Sequence, residues 1–200
     1  MISALILAAG ESKRMGQPKM LLPWDKSTVL QTVITAIQAA GINDILVITG
    51  GSHRQVDALV GHTVQTAYNE NYALGEMLSS IQTGLKMKMS ESRAVLIALG
   101  DQPQIQVRSI QQILQAYKQT KAALIVPSYQ MRRGHPWLVE RGLWDEILKI
   151  PIGGTSREFL NRHAQEIHYV QLDTPTILQD LDTPEEYSRS LPGNTTQNLK

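Results

Sequence analysis

Short, wholly apolar runs alternate with segments of helical periodicity along most of the chain. The first run, Ala4-Leu5-Ile6-Leu7-Ala8, lacks polar alternation, as expected of a strand covered on both faces. From Thr28 to Ala40, Leu30, Val33, Ile34 and Ile37 recur at helical spacing, and Gly41 suits a helix C-terminus. Ile45–Thr49 reads as the next strand, completing a βαβ unit. A short helix near 55–60, a strand near 64–68 and a helix whose Met77, Leu78, Ile81 and Leu85 share one face follow. Ala94–Leu99 is again an apolar strand. Ile110, Ile113, Leu114 and Tyr117 predict a helix, and Leu124-Ile125-Val126 another central strand. The rhythm predicts an α/β fold: three layers, doubly wound around a mainly parallel sheet.

Beyond Pro127 the pattern loosens. Arg132-Arg133-Gly134-His135-Pro136 is turn-rich and Pro151-Ile152-Gly153-Gly154 interrupts again, so residues 128–165 read as an insertion closing over the sheet. Strand-like segments return at Ile167–Leu172 and Ile177–Leu181. Thr183-Pro184-Glu185-Glu186 combines a capping box with proline at the first helical position and predicts a final helix. Residues 1–190 are expected to form one domain, and residues 191–200, with almost nothing to bury, a disordered tail.

The 200 residues carry 19 basic and 18 acidic side chains, a formal charge of +1. A general affinity for nucleic acid or anionic membranes is not expected, so any attraction for phosphate has to be local. The chain has no cysteine, which removes disulfides, thiolate zinc sites and cysteine nucleophiles. The apolar run at 4–9 is too short to span a bilayer, and Met1-Ile2-Ser3 lacks the cationic start of a secretory signal. The expected location is the cytoplasm.

Candidate chemistry begins after the first strand, in Leu7-Ala8-Ala9-Gly10-Glu11-Ser12-Lys13-Arg14-Met15-Gly16-Gln17-Pro18-Lys19. Glycines at 10 and 16 let backbone N–H groups approach an anion, and Lys13, Arg14 and Lys19 add the cations a triphosphate needs. Neither the Walker A nor the Gly-x-Gly-x-x-Gly pattern is present. Gly100-Asp101-Gln102-Pro103 sets Asp101 at the carboxyl end of an apolar strand, where one or two carboxylates with phosphate oxygens and water suit magnesium. Asp182 is the second candidate ligand; Asp180, two residues away, would share its face on a strand. The histidines at 53, 62, 135, 163 and 168 show no HExxH spacing and no pairing with a serine motif.

The glycine loop resembles the Leu-Ala-Ala-Gly-x-Ser-x-Arg-Met-Gly-x-x-Lys signature of GT-A-like nucleotidyltransferases, and within them the molybdenum cofactor cytidylyltransferase and guanylyltransferase group. Gly100-Asp101-Gln102-Pro103 and Asp180-x-Asp182-Thr183-Pro184-Glu185-x-Tyr187 resemble later motifs of that group, in the same order. The resemblance runs from Leu5 to Tyr187. It implies a Rossmann-like GT-A fold in which Leu7, Ala8, Ala9, Gly10, Ser12, Lys13, Arg14, Gly16, Lys19, Asn69, Gly75 and Ser79 enclose the nucleotide. Lys19, Arg14 and Asp101 would be catalytic, with Asp101 and Asp182 holding Mg2+. Arg132, Arg133 and His135 resemble the group's Gly-His-Pro acceptor segment, and Arg157 its glycine-x-arginine element, here without the usual acidic residue. The implied reaction joins a nucleoside triphosphate to a phosphorylated small molecule of the molybdopterin type, with a molybdoenzyme or chaperone as a candidate protein partner. Leu-Ala-Ala-Gly and Gly-Asp-Gln-Pro resemble the cytidylyl branch more than the guanylyl branch. Transfer from GTP, transfer to a sugar phosphate, a metal-dependent glycosyltransferase and a non-catalytic nucleotide-binding module remain alternatives.

Overall fold

The structure is a computed structural model that describes residues 1–74, 77–88, 92–151 and 153–193. In chain order the elements are β1 (Ile2–Ala8), a small hairpin of β2 (Pro23–Trp24) and β3 (Ser27–Thr28), α1 (Val29–Ala39), β4 (Ile45–Thr49), α2 (His53–Val60), β5 (Gln65–Tyr68), α3 (Met77–Lys88), β6 (Ala94–Leu99) and α4 (Val107–Thr120). They continue with β7 (Leu124–Tyr129), β8 (Arg132–Arg133), β9 (Trp137–Glu140), α5 (Trp144–Lys149), α6 (Ser156–Arg162), β10 (His168–Gln171) and α7 (Pro184–Ser190). The main sheet has the order β10-β7-β9-β6-β1-β4-β5, with β8 on β7. Along that order β9 runs antiparallel to both its neighbours, while the other pairs are parallel.

The apolar strand runs follow from burial on both faces. In β1, Ala4, Ile6 and Ala8 pack with Leu30, Val33, Ile37, Ile110 and Ile113 of α1 and α4. Leu5 and Leu7 alternate to the other face, against Leu78, Ile81 and Leu85 of α3 and, further along the sheet, Trp144 and Phe159. Two full cores on one sheet are the three-layer, doubly wound arrangement, and the mainly parallel sheet is as the sequence implies. Helix α1 starts where Thr28 accepts the Gln31 N–H at 3.3 Å and is followed by Gly41 at φ +97°.

The sequence reading is corrected in two places. The segment 128–165, expected to lie over the sheet, contributes β9 to its middle, with Trp137, Leu138 and Val139 all buried. Residues 177–181, expected as a strand, instead begin within a 3-10 turn over Pro175–Leu178, which Pro175 opens, and continue without regular structure. Ile177 and Leu181 are fully buried all the same, each in a different cluster. Leu181 joins Met15, Leu22, Trp24 and Val29 in a third cluster that anchors the glycine loop and hairpin, with Tyr187 of α7 packed against it. Among the described residues no helix is long and apolar enough to cross a membrane. Of the tail, residues 194–200 lie outside the described residues.

Candidate active site

The parallel strands β1, β4 and β6 end at one edge of the sheet, and the glycine loop leaves from β1 there. Ser12 takes a left-handed conformation, φ +53°. Its carbonyl accepts the N–H groups of Met15 and Gly16 at 3.0 and 3.1 Å, and its Oγ accepts the Lys19 N–H at 3.1 Å. Ser12 therefore shapes the loop, while the buried Met15 pins its middle and Gly16, at φ +71°, turns it. Leu7, Ala9 and Gly10 border a cleft of about 330 Å3 together with Lys19, Tyr72, Asp101 and Asp180. Ala8, expected at the nucleotide, points its methyl into the opposite core because strand residues alternate. At Gly50 a Cβ would stand 2.2 Å from the Ala9 carbonyl oxygen, so the ends of β1 and β4 approach as closely as they do only with glycine there.

Lys19, Asp101 and Asp182 meet across most of the chain. The Gly100 N–H donates to the Leu7 carbonyl at 3.0 Å and the Leu181 N–H to the Asp101 carbonyl at 3.2 Å, which brings both acidic segments to the loop. Lys19 Nζ donates to Asp101 Oδ2, and to Asp182 Oδ1 at 3.1 Å; Arg14 donates to the other Asp182 oxygen at 2.7 Å. Burial works against the charge of the enclosed Lys19, but Asp101 and Asp182 outweigh it and hold the ammonium above the usual lysine range. Asp182 shows the converse: burial opposes its charge, yet Lys19 and Arg14 hold it below the usual carboxylate range. Asp180 accepts from Gln102 Nε2 at 2.6 Å, and burial, reinforced by the Asp101 charge, pushes it up. The Asp182 and Thr183 N–H groups both donate to Glu186 Oε2 at 3.0 Å, so the expected capping box of α7 also fixes Asp182.

Other expected nucleotide contacts are placed differently. Lys13 is exposed and paired with Glu11 at 2.7 Å, rather than gathered with Lys19. Asn69 is buried, with Nδ2 donating to Ser79 and Ser80 at 2.9 and 3.0 Å and Oδ1 accepting the Asn71 N–H at 3.0 Å. Its amide ties the end of β5 to α3, and Ser79 is Asn69's partner there. Gly75 lies outside the described residues.

A second, larger hollow of about 1180 Å3 opens beside the cleft, bordered by His135, Trp137, Arg157 and Tyr169 among others. Arg133 lines it and Arg132 does not: the two alternate on β8, leaving Arg132 exposed while Arg133 donates to Tyr169 Oη at 2.9 Å and Asn161 Oδ1 at 2.8 Å. Of the two arginines expected on the acceptor side, Arg133 thus borders the hollow and Arg132 does not, a distinction that strand alternation alone leaves undecided. His135 stacks on Trp137 with ring centres 4.4 Å apart, and its Nε2 is enclosed without a hydrogen-bond partner among the described residues. Burial pushes the imidazole down to about 3, so His135 is neutral near pH 7 and adds no positive charge for an anion.

The model of the MobA-like NTP transferase domain matches residues 4–167. The chain belongs to this family. The molybdenum cofactor cytidylyltransferase of Escherichia coli K12 is 28% identical over 190 residues, covering 93% of each chain. The nicotine blue oxidoreductase of Paenarthrobacter nicotinovorans is 25% identical over 198 residues, covering 95% of this chain and 96% of that one. The crystal structure of Rv0371c from Mycobacterium tuberculosis H37Rv superposes with a TM-score of 0.81 at 25% identity, over 94% and 96% of the two chains. The same mycobacterial protein has also been solved in complex with manganese, at a TM-score of 0.77 and 24% identity.

These relatives carry out more than one chemistry by name, so the site residues decide the reaction. Asp101 and Asp182 offer hard oxygens already converging on one cation, Lys19. That donor set fits a small divalent ion completed by phosphate oxygens and water. Among the described residues no cluster of three or more His, Asp or Glu side chains is arranged to hold a metal. Sequence reasoning missed Gln102 and Tyr72: one holds Asp180, the other packs its Cβ over Gly50. The glycine pair at 50 and 51, following a strand, was the available signal for such a close approach.

Proposed function

We propose that the protein transfers the nucleotidyl group of a nucleoside triphosphate, with CTP favoured, to a phosphorylated acceptor of the molybdopterin type and releases pyrophosphate. The observation that carries this reading is the buried Lys19 ammonium held between Asp101 and Asp182 beside the glycine loop. An oxygen of the acceptor phosphate attacks the α-phosphorus and forms a P–O–P bond. The bond from the α-phosphorus to the oxygen leading to the β-phosphorus breaks, and its electron pair leaves with pyrophosphate. The acceptor is already an anion, so the site has no proton to remove; alignment and neutralisation are what the protein has to supply.

Loop N–H groups would face the phosphates, and Lys19, released from its carboxylates, would neutralise charge building on the leaving pyrophosphate. Arg14, paired with Asp182 at the loop, would add a second charge. Mg2+ held by Asp101 and Asp182 would supply further charge neutralisation on the phosphates. On the acceptor side, Arg133 and Arg157 are the cations that border the hollow, and Tyr169 and Trp137 offer aromatic surface.

CTP is favoured because Leu7-Ala8-Ala9-Gly10 and Gly100-Asp101-Gln102-Pro103 resemble the cytidylyl branch, as does the 28% identical relative of that name. Incubating the protein with Mg2+, a molybdopterin-type acceptor and each of the four triphosphates in turn tests the reading. Pyrophosphate is expected with CTP; release with GTP alone would select the guanylyl alternative, and none with any triphosphate would end the proposal.

A further inference from the structure

The cleft at the glycine loop and the hollow beside it are bordered by separate sets of side chains, and among the described residues they have one in common, Met77. Met77 opens α3, and the burial of Leu78, Ile81 and Leu85 fixes how that helix lies on the sheet and so where Met77 stands. Ser156, the first residue of α6, donates from Oγ to Met77 Sδ at 3.8 Å, and the next residue, Arg157, borders the hollow. A single unbranched thioether thus stands where the two chambers adjoin. On one side are Lys19 and Asp101, on the other Arg133 and Arg157. A charged residue at this point would compete for phosphate, and a small one would admit water. A thioether does neither and is held in place by its partner across the junction.

Resting on the nucleotidyl-transfer reading, we propose that Met77 is a positioning residue: it is the wall at which the α-phosphate and the acceptor phosphate are brought together, and it keeps water from that junction. The competing reaction is hydrolysis, in which a water oxygen attacks the α-phosphorus. The same bond to the pyrophosphate oxygen breaks, nucleoside monophosphate forms and a proton passes to solvent. Transfer and hydrolysis release the same pyrophosphate, so the ratio of pyrophosphate to joined product reports how well the wall works.

The test compares wild-type protein with M77A, M77F and M77L, measuring that ratio and the separate KM values for CTP and acceptor. M77A is expected to lower product formation by about tenfold or more while pyrophosphate exceeds product, since small misplacements at a reacting centre cost rate steeply. M77F, which crowds the junction, is expected to raise the acceptor KM more than the CTP KM, and M77L, of similar volume, to restore coupling. A loss of packing alone would lower the melting temperature without changing the ratio. A ratio of one in M77A with both KM values moving together in M77F would overturn the proposal. A second arm needs no turnover: in protein labelled with methyl-13C methionine, the Met77 resonance, identified by its loss in M77L, should shift with Mg2+-CTP and again with a phosphorylated pterin. If wild-type protein makes no product yet both shifts appear, the transfer reading fails and the shared wall stands; no shift with either ligand refutes the wall.

Discussion

Lys19 and His135 are both titratable groups held away from water, and their surroundings drive them in opposite directions. The Lys19 ammonium has two carboxylates within reach, so burial leaves it charged. Replacing it with alanine removes the cation nearest the proposed leaving group, and K19A is expected to lower the rate of pyrophosphate release by about a hundredfold or more, roughly 3 kcal/mol of transition-state stabilisation. His135 has no such partner and is held to about 3. The sign of its effect on stability follows: the unfolded chain takes up the proton below about 6.5 and the folded chain resists it. Its contribution is intact above pH 6.5 and is lost as pH falls from there towards 3. At pH 5 the linked loss is about 2 kcal/mol. H135F cannot be protonated, so the melting temperature of wild type relative to H135F should decline between pH 7 and pH 4. A constant difference would show that the ring is not held neutral.

At the scale of elements, the junctions carry more of the site than the elements do. Gly50 and Gly10 face the same loop with opposite steric demands: a Cβ at Gly50 meets the Ala9 carbonyl and the Tyr72 Cβ, whereas one at Gly10 meets nothing within 4 Å. G50A is therefore expected to destabilise the fold by about 2 kcal/mol or more. G10A should melt close to wild type while weakening triphosphate binding, because its methyl would project beside the phosphate donors. Calorimetric unfolding and a CTP titration of both variants check the contrast. The capping box of α7 joins a local rule to the site, since Glu186 accepts from the Asp182 and Thr183 N–H groups and Thr183 accepts from Glu186. T183A should cost about 1 kcal/mol of stability and raise the Mg2+ concentration needed for half-maximal turnover.

These elements also show what sequence can disclose. Ile45–Thr49 and Ala94–Leu99 were readable to the residue because strands covered on both faces have no polar position to blur the pattern. Thr183-x-x-Glu186 was readable because a capping box is a local structure. Trp137–Glu140 was not, since a short antiparallel strand behind a polar turn looks like the edge of a loop, although it fills the middle of the sheet. Which of Arg132 and Arg133 faces the hollow depended on the register of β8 on β7.

Over the whole molecule, the sheet gathers into one edge groups that are distant in sequence: the loop after β1, Asp101 after β6, and Asp182 before α7. Periodicity and motif order placed each group on its element; their convergence on Lys19 is a property of the topology, with Lys19 and Asp182 163 positions apart in the chain. A net charge of +1 leaves the surface without a strong field, so phosphate attraction has to come from that edge and from Arg133 and Arg157 in the hollow. The central claim is that Asp101 and Lys19 act on one triphosphate. Its most direct measurement is single-turnover pyrophosphate release from CTP with Mg2+ and acceptor, in wild type and in a D101N protein that melts normally. Release is expected in wild type and a fall of about a thousandfold in D101N, since a metal carboxylate contributes several kcal/mol to such a transition state. A D101N protein that releases pyrophosphate at the wild-type rate would contradict it.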